Sequence, residues 1–221
     1  MKMGWTIAAA IMVSASSAVA QRDTGQYGRP EQTPENMRRF AVVGSSFCAN
    51  KNASATVGKI IASPIGSTEE AKLVKSLRAV ARQCYQPQWP SFPATEVRNA
   101  LAQIEYREHF KDVPAATPPG TKPPETFRVA PTDAKGTPEQ ESAWYLGALA
   151  NCVVFVDAPG AHNLVIGPAG VPEEGKRFEK LQPALAQCGP PSGIPGLTGV
   201  VLRGFLADAL LARAARGSSV K

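Results

Sequence analysis

Apolar side chains recur along this chain at steps of three and four residues, which is the spacing of one face of an α-helix. One such series follows the break at Pro64-Ile65-Gly66, and a second follows the similar break at Pro168-Ala169-Gly170. Each series ends at a cysteine; the members are Val74, Leu77, Ala81 and Cys84, then Phe178, Leu181, Leu185 and Cys188. The pattern predicts two amphipathic helices, each with a cysteine on its buried face.

Helix-start signals stand before these and earlier segments. Thr-Pro-Glu occurs at Thr33 and again at Thr137, where the threonine oxygen can cap free amides and the proline needs no amide proton. Ser67 to Glu70 fits a capping box for the helix that carries the first series. Gly175 and Pro183 interrupt the corresponding helix of the second half, so we expect that helix to be bent.

Two further helices are predicted in each half. The segments Ala53 to Ile61 and Ala161 to Val165 have near-helical spacing and predict one or two turns. A last helix is predicted from about Thr95 to Phe110 and from about Thr198 to Arg216. Each half then has about four helical segments, and the sequence predicts an all-α fold.

The two halves are similar in sequence. Cys48 and Cys84 fall on Cys152 and Cys188 after a shift of 104 positions, since 152 minus 48 and 188 minus 84 both give 104. From residue 33 to residue 84 the shift gives 12 identities in 52 positions, whereas unrelated sequences match at roughly one position in sixteen. One inserted residue later aligns a last common motif, which is Arg98, Leu101 and Ala102 on Arg203, Leu206 and Ala207. Duplication of one helical unit explains these matches.

The duplication indicates the domain organisation. Residues 33–110 and 137–216 are the two predicted repeats, and residues 111–136 are a Pro-rich linker. Residues 21–32 and 217–221 are predicted to be flexible ends. A unit of about 80 residues has a marginal core, so we expect the units to pack together with pseudo-twofold symmetry rather than to sit apart as beads.

The first twenty residues, 1–20, are typical of a signal peptide. Lys2 is followed by an apolar run, and Ala18-Val19-Ala20 predicts cleavage between Ala20 and Gln21. No later stretch reaches the roughly 18 apolar residues of a membrane helix. We therefore expect an exported protein, periplasmic or secreted, without a stable membrane anchor; an uncleaved N-terminal anchor is the alternative.

Export places the four cysteines in oxidising surroundings, where disulfides are the expected state. Three pairings are possible in principle. The duplication favours Cys48 with Cys84 and Cys152 with Cys188, because each unit must once have closed on its own. Crossed pairing and free thiols are the alternatives.

The charge of the chain is mildly basic, with 24 Lys and Arg against 18 Asp and Glu, or +6. The basic residues are dispersed among acidic ones, so the sequence does not favour nucleic-acid binding. Weak attraction to anionic envelope polymers is compatible with this charge.

Candidate chemistry is sparse. His109 and His162 are the two histidines of the chain, and neither has a second imidazole or thiolate at ligand spacing, so we predict no metal and no cofactor. His109 beside Glu105 or Glu108 could act as a general base, but a solvated helix end is the favoured interpretation. His162 is predicted to lie in a surface loop or turn. We assign no catalytic residue.

Two residue pairs invite a catalytic interpretation. Ser45 and Ser46 have no nucleophile-elbow motif around them and are predicted to be packing residues of an apolar helix. The glutamate pairs Glu69-Glu70 and Glu173-Glu174 are predicted to be helix-start charges, which the helix dipole favours.

The order of cysteine, Pro-x-Gly, Glu-Glu, cysteine and Arg-x-x-Leu-Ala, present twice between about Thr33 and Arg216, resembles uncharacterised exported proteins of alphaproteobacteria. The resemblance implies export and a helical fold, and it implies no activity.

Two functions of different classes follow. The favoured one is a non-enzymatic exported binding or structural module, whose partner is an envelope protein or, less favoured, a small apolar ligand held between the units. The alternative is a soluble periplasmic hydrolase that uses Glu105, Glu108 or His109. A concave pocket that joins these residues to others would favour the hydrolase. The sequence does not indicate an oligomeric state.

Overall fold

The structure is a computed structural model and describes residues 34–85, 92–112, 136–189 and 197–218. Within these ranges there are nine α-helices, one short 3-10 turn and no strand, so the predicted all-α fold is confirmed. The predicted signal peptide with its cleavage site, the 21–32 tail, most of the 111–136 linker and the end of the chain lie outside the described residues.

The helix bounds follow the sequence pattern with one exception: the helix that begins at Thr68 ends at Val80, so it does not reach Cys84, which lies in a 3-10 turn. The first half contains α1 Pro34–Asn52, α2 Ser54–Ala62, α3 Thr68–Val80 and α4 Ala94–Phe110, with a 3-10 turn at Arg82–Cys84 before α4. The second half contains α5 Pro138–Val156, α6 Ala158–Ile166, α7 Pro172–Lys180, α8 Gln182–Cys188 and α9 Gly199–Ser218.

The predicted start of α5 is confirmed in detail. Thr137 accepts a hydrogen bond from the amide of Gln140, and the Gln140 side chain accepts one from the amide of Thr137. Pro138 occupies the first helical position. Thr33, the predicted counterpart before α1, lies outside the described residues.

The predicted bend in the second half is also found, but only one of its two proposed causes holds. The helix breaks at Leu181, and Pro183 lies in the first turn of the new helix α8, where its missing amide proton costs nothing. Gly175 lies inside α7 without interrupting it. A glycine weakens a helix but keeps its backbone hydrogen bond, whereas a proline removes the amide donor.

Both predicted disulfides are present. Cys48–Cys84 joins α1 to the 3-10 turn, and Cys152–Cys188 joins α5 to α8. Each bridge spans 36 positions and lies within one half of the chain. No free cysteine occurs in the part of the chain that the structure describes.

The core consists of two clusters that meet along α4. Val97 and Leu101 of α4 belong to the cluster of the first half. Ala102 and Tyr106 of the same helix belong to the cluster built from α5, α6, α8 and α9. The two halves are therefore packed directly against each other through α4 and α9.

None of the described helices is long and apolar enough by itself to cross a membrane. By length and composition α5 and α6 would pass together, but the chain bends by 115° between them.

Candidate functional site

The side chain of Arg98 organises the region where α2, α3, α4 and α9 meet. It is 3% exposed and donates to the carbonyl oxygens of Ile60, Ile61 and Ser63 at 2.6–2.7 Å. These carbonyls belong to the last turn of α2 and the residue after it, where a helix leaves acceptors without partners. Arg98 thus closes the end of α2 from the side.

The same guanidinium is bound to two carboxylates. Its Nε and Nη2 donate to Oδ1 of Asp208 on α9, at 3.1 and 2.9 Å. Its Nη1 lies 3.5 Å from Oε2 of Glu70 on α3. A guanidinium has five N–H donors, and the three carbonyls together with the two bonds to Asp208 use all five.

Arg203 of α9 has a matching environment in the second half. It is fully buried and donates to the carbonyl oxygens of Val165 and Gly167 at 3.0 and 2.7 Å. Its Nε lies 2.9 Å from Oε1 of Glu174. Burial lowers the pKa of Arg203 to about 10, with Glu174 opposing the change, so the guanidinium stays charged at neutral pH.

The glutamates that these arginines bind have a larger role than the helix-start charge predicted for them. Glu70 accepts from the amide of Gly66 at 3.1 Å, and Glu174 from that of Gly170 at 2.7 Å. Gly66 and Gly170 have positive φ, 69° and 73°, a conformation that favours glycine. Only half of the predicted Ser67 to Glu70 capping box forms, because the Glu70 carboxylate turns to Gly66 and Arg98 instead of the Ser67 amide.

The two buried carboxylates differ in their electrostatics. Burial raises the pKa of Glu70, and the single guanidinium of Arg98 does not offset it. Burial acts in the same direction on Glu174, but hydrogen bonds and charge from Arg39 and Arg203 outweigh it and lower the pKa of that carboxyl. Arg39 reaches Glu174 from α1 at 3.1 Å.

A cavity of about 740 Å³ opens beside Arg98, between α2, α4 and α9. Its size is within the usual range for small-molecule sites. Polar groups of the lining include Arg98, Asp208, Glu105 and His109. The apolar lining is formed by Ile61, Ala62, Ile65, Phe110, Leu211 and Ala212.

Gly58 of α2 lies on the wall of this cavity. A methyl group placed on it would meet none of the described atoms within 4 Å. The position 104 residues later, since 162 minus 58 gives 104, is His162. His162 is 7% exposed, and its Nδ1 lies 2.8 Å from the hydroxyl of Tyr106 on α4.

The prediction that His162 lies in a surface loop or turn is therefore wrong. The residue is inside α6 and buried against Tyr106. Burial lowers the pKa of His162 and raises the pKa of Tyr106 to about 12. No partner for this imidazole could be found from the sequence, because Tyr106 lies 56 positions away along the chain.

The residues of the hydrolase alternative are only partly brought together. Glu105 and His109 both line the cavity, with His109 Nε2 3.4 Å from Glu105 Oε2. Glu108 is exposed, does not line the cavity and lies 3.4 Å from the side-chain amide of Asn50. The ligand atoms of Glu105, Glu108 and His109 lie within 4.8 Å of one another. Such closeness is ordinary for residues three and four apart on one helix, and we assign no metal to them.

The two serines considered as nucleophiles are packing residues. Ser45 donates to the carbonyl oxygens of Ala41 and Val42 in its own helix. Ser46 is fully buried, and its hydroxyl has no partner among the described residues. Neither serine lines the cavity beside Arg98.

Sequence reasoning did not identify the cavity or the roles of Gly58 and Asp208. The repeated Arg-x-x-Leu-Ala motif was the available signal, since an arginine recurring among apolar helix positions requires buried acceptors. Its partners could not be located, because Arg98 and Asp208 are 110 positions apart.

Comparisons with protein-family models, with curated proteins and with solved structures found no match for this chain.

Proposed function

We propose that this chain is an exported, non-enzymatic binding protein made of two helical repeats related by pseudo-twofold symmetry, and that it holds a small molecule in the cavity between α2, α4 and α9. The cavity of about 740 Å³ carries the proposal. Two disulfides are compatible with export.

The crossing of α4 and α9 supports the symmetry. A Cβ placed on Gly204 would lie 2.3 Å from Cβ of Asn99 and 3.1 Å from its Cα, so the two helices approach closely here. Asn99 and Gly204 are equivalent positions, because Arg98 and Arg203 precede them in the repeated motif. Contact between equivalent residues is what a twofold axis requires of the positions next to it.

Contacts between the first helix of each half and the opposite half support the same arrangement. Gln140 of α5 donates to the carbonyl oxygen of Gly66 in the first half at 2.8 Å. Arg39 of α1 binds Glu174, which itself accepts from Gly170 in the second half. Each first helix thus reaches the Pro-x-Gly turn of the other half.

The pseudo-twofold symmetry relates the cavity to a filled position in the second half. On the second-half side, His162 fills the position equivalent to Gly58 and packs against Tyr106. On the first-half side, the equivalent positions carry Gly58 and Leu211, since 106 plus 105 gives 211, and both line the cavity. A side chain is therefore missing where its repeat partner has one, and this leaves room beside Arg98 that a small molecule can occupy.

The favoured binding role competes with two others. Exposed apolar residues of α1, Met37, Phe40 and Phe47, favour an envelope protein as the partner. The contact of Glu105 with His109 on the cavity wall favours the hydrolase. Against the hydrolase, Ser63 is the one hydroxyl among the described lining residues, and it donates to the carbonyl oxygen of Ile60 at 2.7 Å.

The test compares the wild-type chain with Gly58→His, which places a histidine where the second half has one. The matched control is Gly44→His, since Gly44 is also a helical glycine with open space around it and does not line the cavity. Each oxidised protein is purified from cells that export it, and its solvent extract is analysed by mass spectrometry. We expect a small molecule with the wild type and with Gly44→His, and its loss from Gly58→His.

Identical extracts from all three proteins would overturn the cavity proposal. In-cell crosslinking of the same variants addresses the partner: a stoichiometric protein that is captured equally by Gly58→His favours the envelope-protein function. Hydrolysis of ester or amide substrates that Glu105→Gln abolishes would favour the enzyme.

A further inference from the structure

We propose that the ligand of this cavity is amphipathic, with a protonated amine held by Glu105 and Asp208 and a hydrocarbon part packed against the apolar wall. This inference rests on the proposed function, since it assigns a chemical class to the molecule in the same cavity.

The arginine at the cavity does not supply a free donor for a ligand. An exposed guanidinium would favour an anionic ligand, but Arg98 has no donor to offer. Its Nε and Nη2 are bound to Asp208, and its remaining N–H bonds are directed at Ile60, Ile61 and Ser63. A carboxylate or phosphate would have to displace one of these buried hydrogen bonds and leave a carbonyl unpaired, which is costly.

Two carboxylates at the cavity can accept hydrogen bonds from a ligand. Asp208 lines the cavity and accepts both bonds from Arg98 at Oδ1, so its second oxygen retains acceptor capacity for a ligand. The side chain of Glu105 is 24% exposed; His109 lies 3.4 Å from it, and the Glu108 carboxylate lies within 4.8 Å. Both carboxylates line the cavity. The groups that a ligand can use are therefore mainly acceptors.

The formal charge of the groups at and beside the cavity is negative. Arg98 is positive, while Glu70, Asp208 and Glu105 are negative, which gives a sum of −2 when His109 is neutral. The chain as a whole is basic, with a net charge of +6. The cavity is thus a local acidic site, and low-dielectric walls strengthen its attraction for a cation.

The apolar wall of the cavity favours a ligand with a hydrocarbon part. Ile61, Ile65, Phe110 and Leu211 line the same cavity. Burying hydrocarbon against such a wall is favourable in proportion to the apolar area removed from water. A small inorganic cation would leave this wall uncovered, whereas an alkyl or aryl amine would cover it.

The experiment uses three probes with one tail and different heads: octylamine, octanol and octanoate. Each is titrated calorimetrically into the oxidised chain at neutral pH. We expect octylamine to bind about tenfold more tightly than octanol, or about 1.4 kcal/mol, and octanoate to bind most weakly. Glu105→Gln is expected to remove most of the octylamine preference while octanol binding is unchanged.

The control is Glu108→Gln, which removes a carboxylate that lies within 4.8 Å of the Glu105 carboxylate but does not line the cavity, and we expect it to weaken octylamine binding much less than Glu105→Gln does. Equal effects of Glu105→Gln and Glu108→Gln would overturn the amine assignment. Equal binding of the three probes to the wild type, lost in Gly58→His, would also overturn it and leave the proposed function standing. Failure of all three to bind, or binding that Gly58→His does not reduce, would overturn the proposed function as well.

Discussion

Arg98 Nη2 lies 2.9 Å from Oδ1 of Asp208, and this contact ties the end of α2 in the first half to the last helix of the second. The side chains of Arg98 and Asp208 are 3% and 11% exposed. An ion pair this deep stabilises the fold only while both partners and the surrounding hydrogen bonds are in place.

Removal of the Arg98 guanidinium should therefore strongly lower the free energy of unfolding. Arg98→Met leaves Glu70 and Asp208 as buried carboxylates without their cation, and we expect a loss of about 3–5 kcal/mol in the free energy of unfolding. Urea unfolding of the oxidised chain followed by circular dichroism measures it. Arg38→Met is the control, because the Arg38–Glu96 pair is exposed and should contribute about 0–1 kcal/mol. Similar losses in both variants would contradict the role assigned to Arg98.

The helix crossing gives a second prediction. Gly204→Ala places a methyl group against Cβ and Cα of Asn99, and we expect a destabilisation of about 1–3 kcal/mol. Gly175→Ala, inside α7 with open space around it, should instead stabilise by about 0.5–1 kcal/mol. Asn99→Gly removes the clashing atom, so a double-mutant cycle with Gly204→Ala should show coupling of about 0.5–3 kcal/mol. Strict additivity would exclude the close crossing.

His162 gives a prediction about pH. Burial lowers its folded pKa below the ordinary value of 6.5, so the unfolded chain takes up a proton before the folded chain does. The stability of the neutral, Tyr106-bonded form is complete above that value and falls as the pH drops below it, by at most about 1.4 kcal/mol per pH unit. Unfolding free energies of the wild type and His162→Asn, compared across this range, test it. Parallel curves would show that His162 does not cause the acid sensitivity.

The disulfides predict equal losses in the two halves. Both bridges span 36 positions, so the chain-entropy model gives each about 4 kcal/mol. We expect Cys48→Ala with Cys84→Ala to destabilise as much as Cys152→Ala with Cys188→Ala, measured by chemical unfolding. A much smaller loss in one half would indicate that its unfolded state is already compact.

The expected export can be tested independently of the fold. The mature chain should begin at Gln21, because Ala18-Val19-Ala20 fits a signal-peptidase site. Intact-mass measurement of the protein from the exporting cell tests this, and Ala20→Leu should block cleavage. An unprocessed Met1 in the envelope would support the uncleaved anchor instead.

The sequence by itself determined the all-α fold, most of the helix positions, the break before Pro183 and the disulfide pairing. These features depend on signals close together in the chain: the three-and-four spacing that ends at Cys84 and Cys188, the capping residues around Thr137, and Pro183 at the start of α8. Local hydrogen bonding and steric rules act over a few residues, and the duplication resolved the pairing.

Only the tertiary structure decided the site. The place of His162, the cavity beside Gly58 and the Asp208 partner of Arg98 depend on how α4 and α9 cross, which brings together residues 56 to 110 positions apart. Side-chain burial at such a crossing follows from packing and not from local pattern. His162 was for this reason predicted at the surface, and the buried roles of Glu70 and Glu174 were taken for helix-start charge, because a sequence shows which residues carry charge and not which of them lose contact with water.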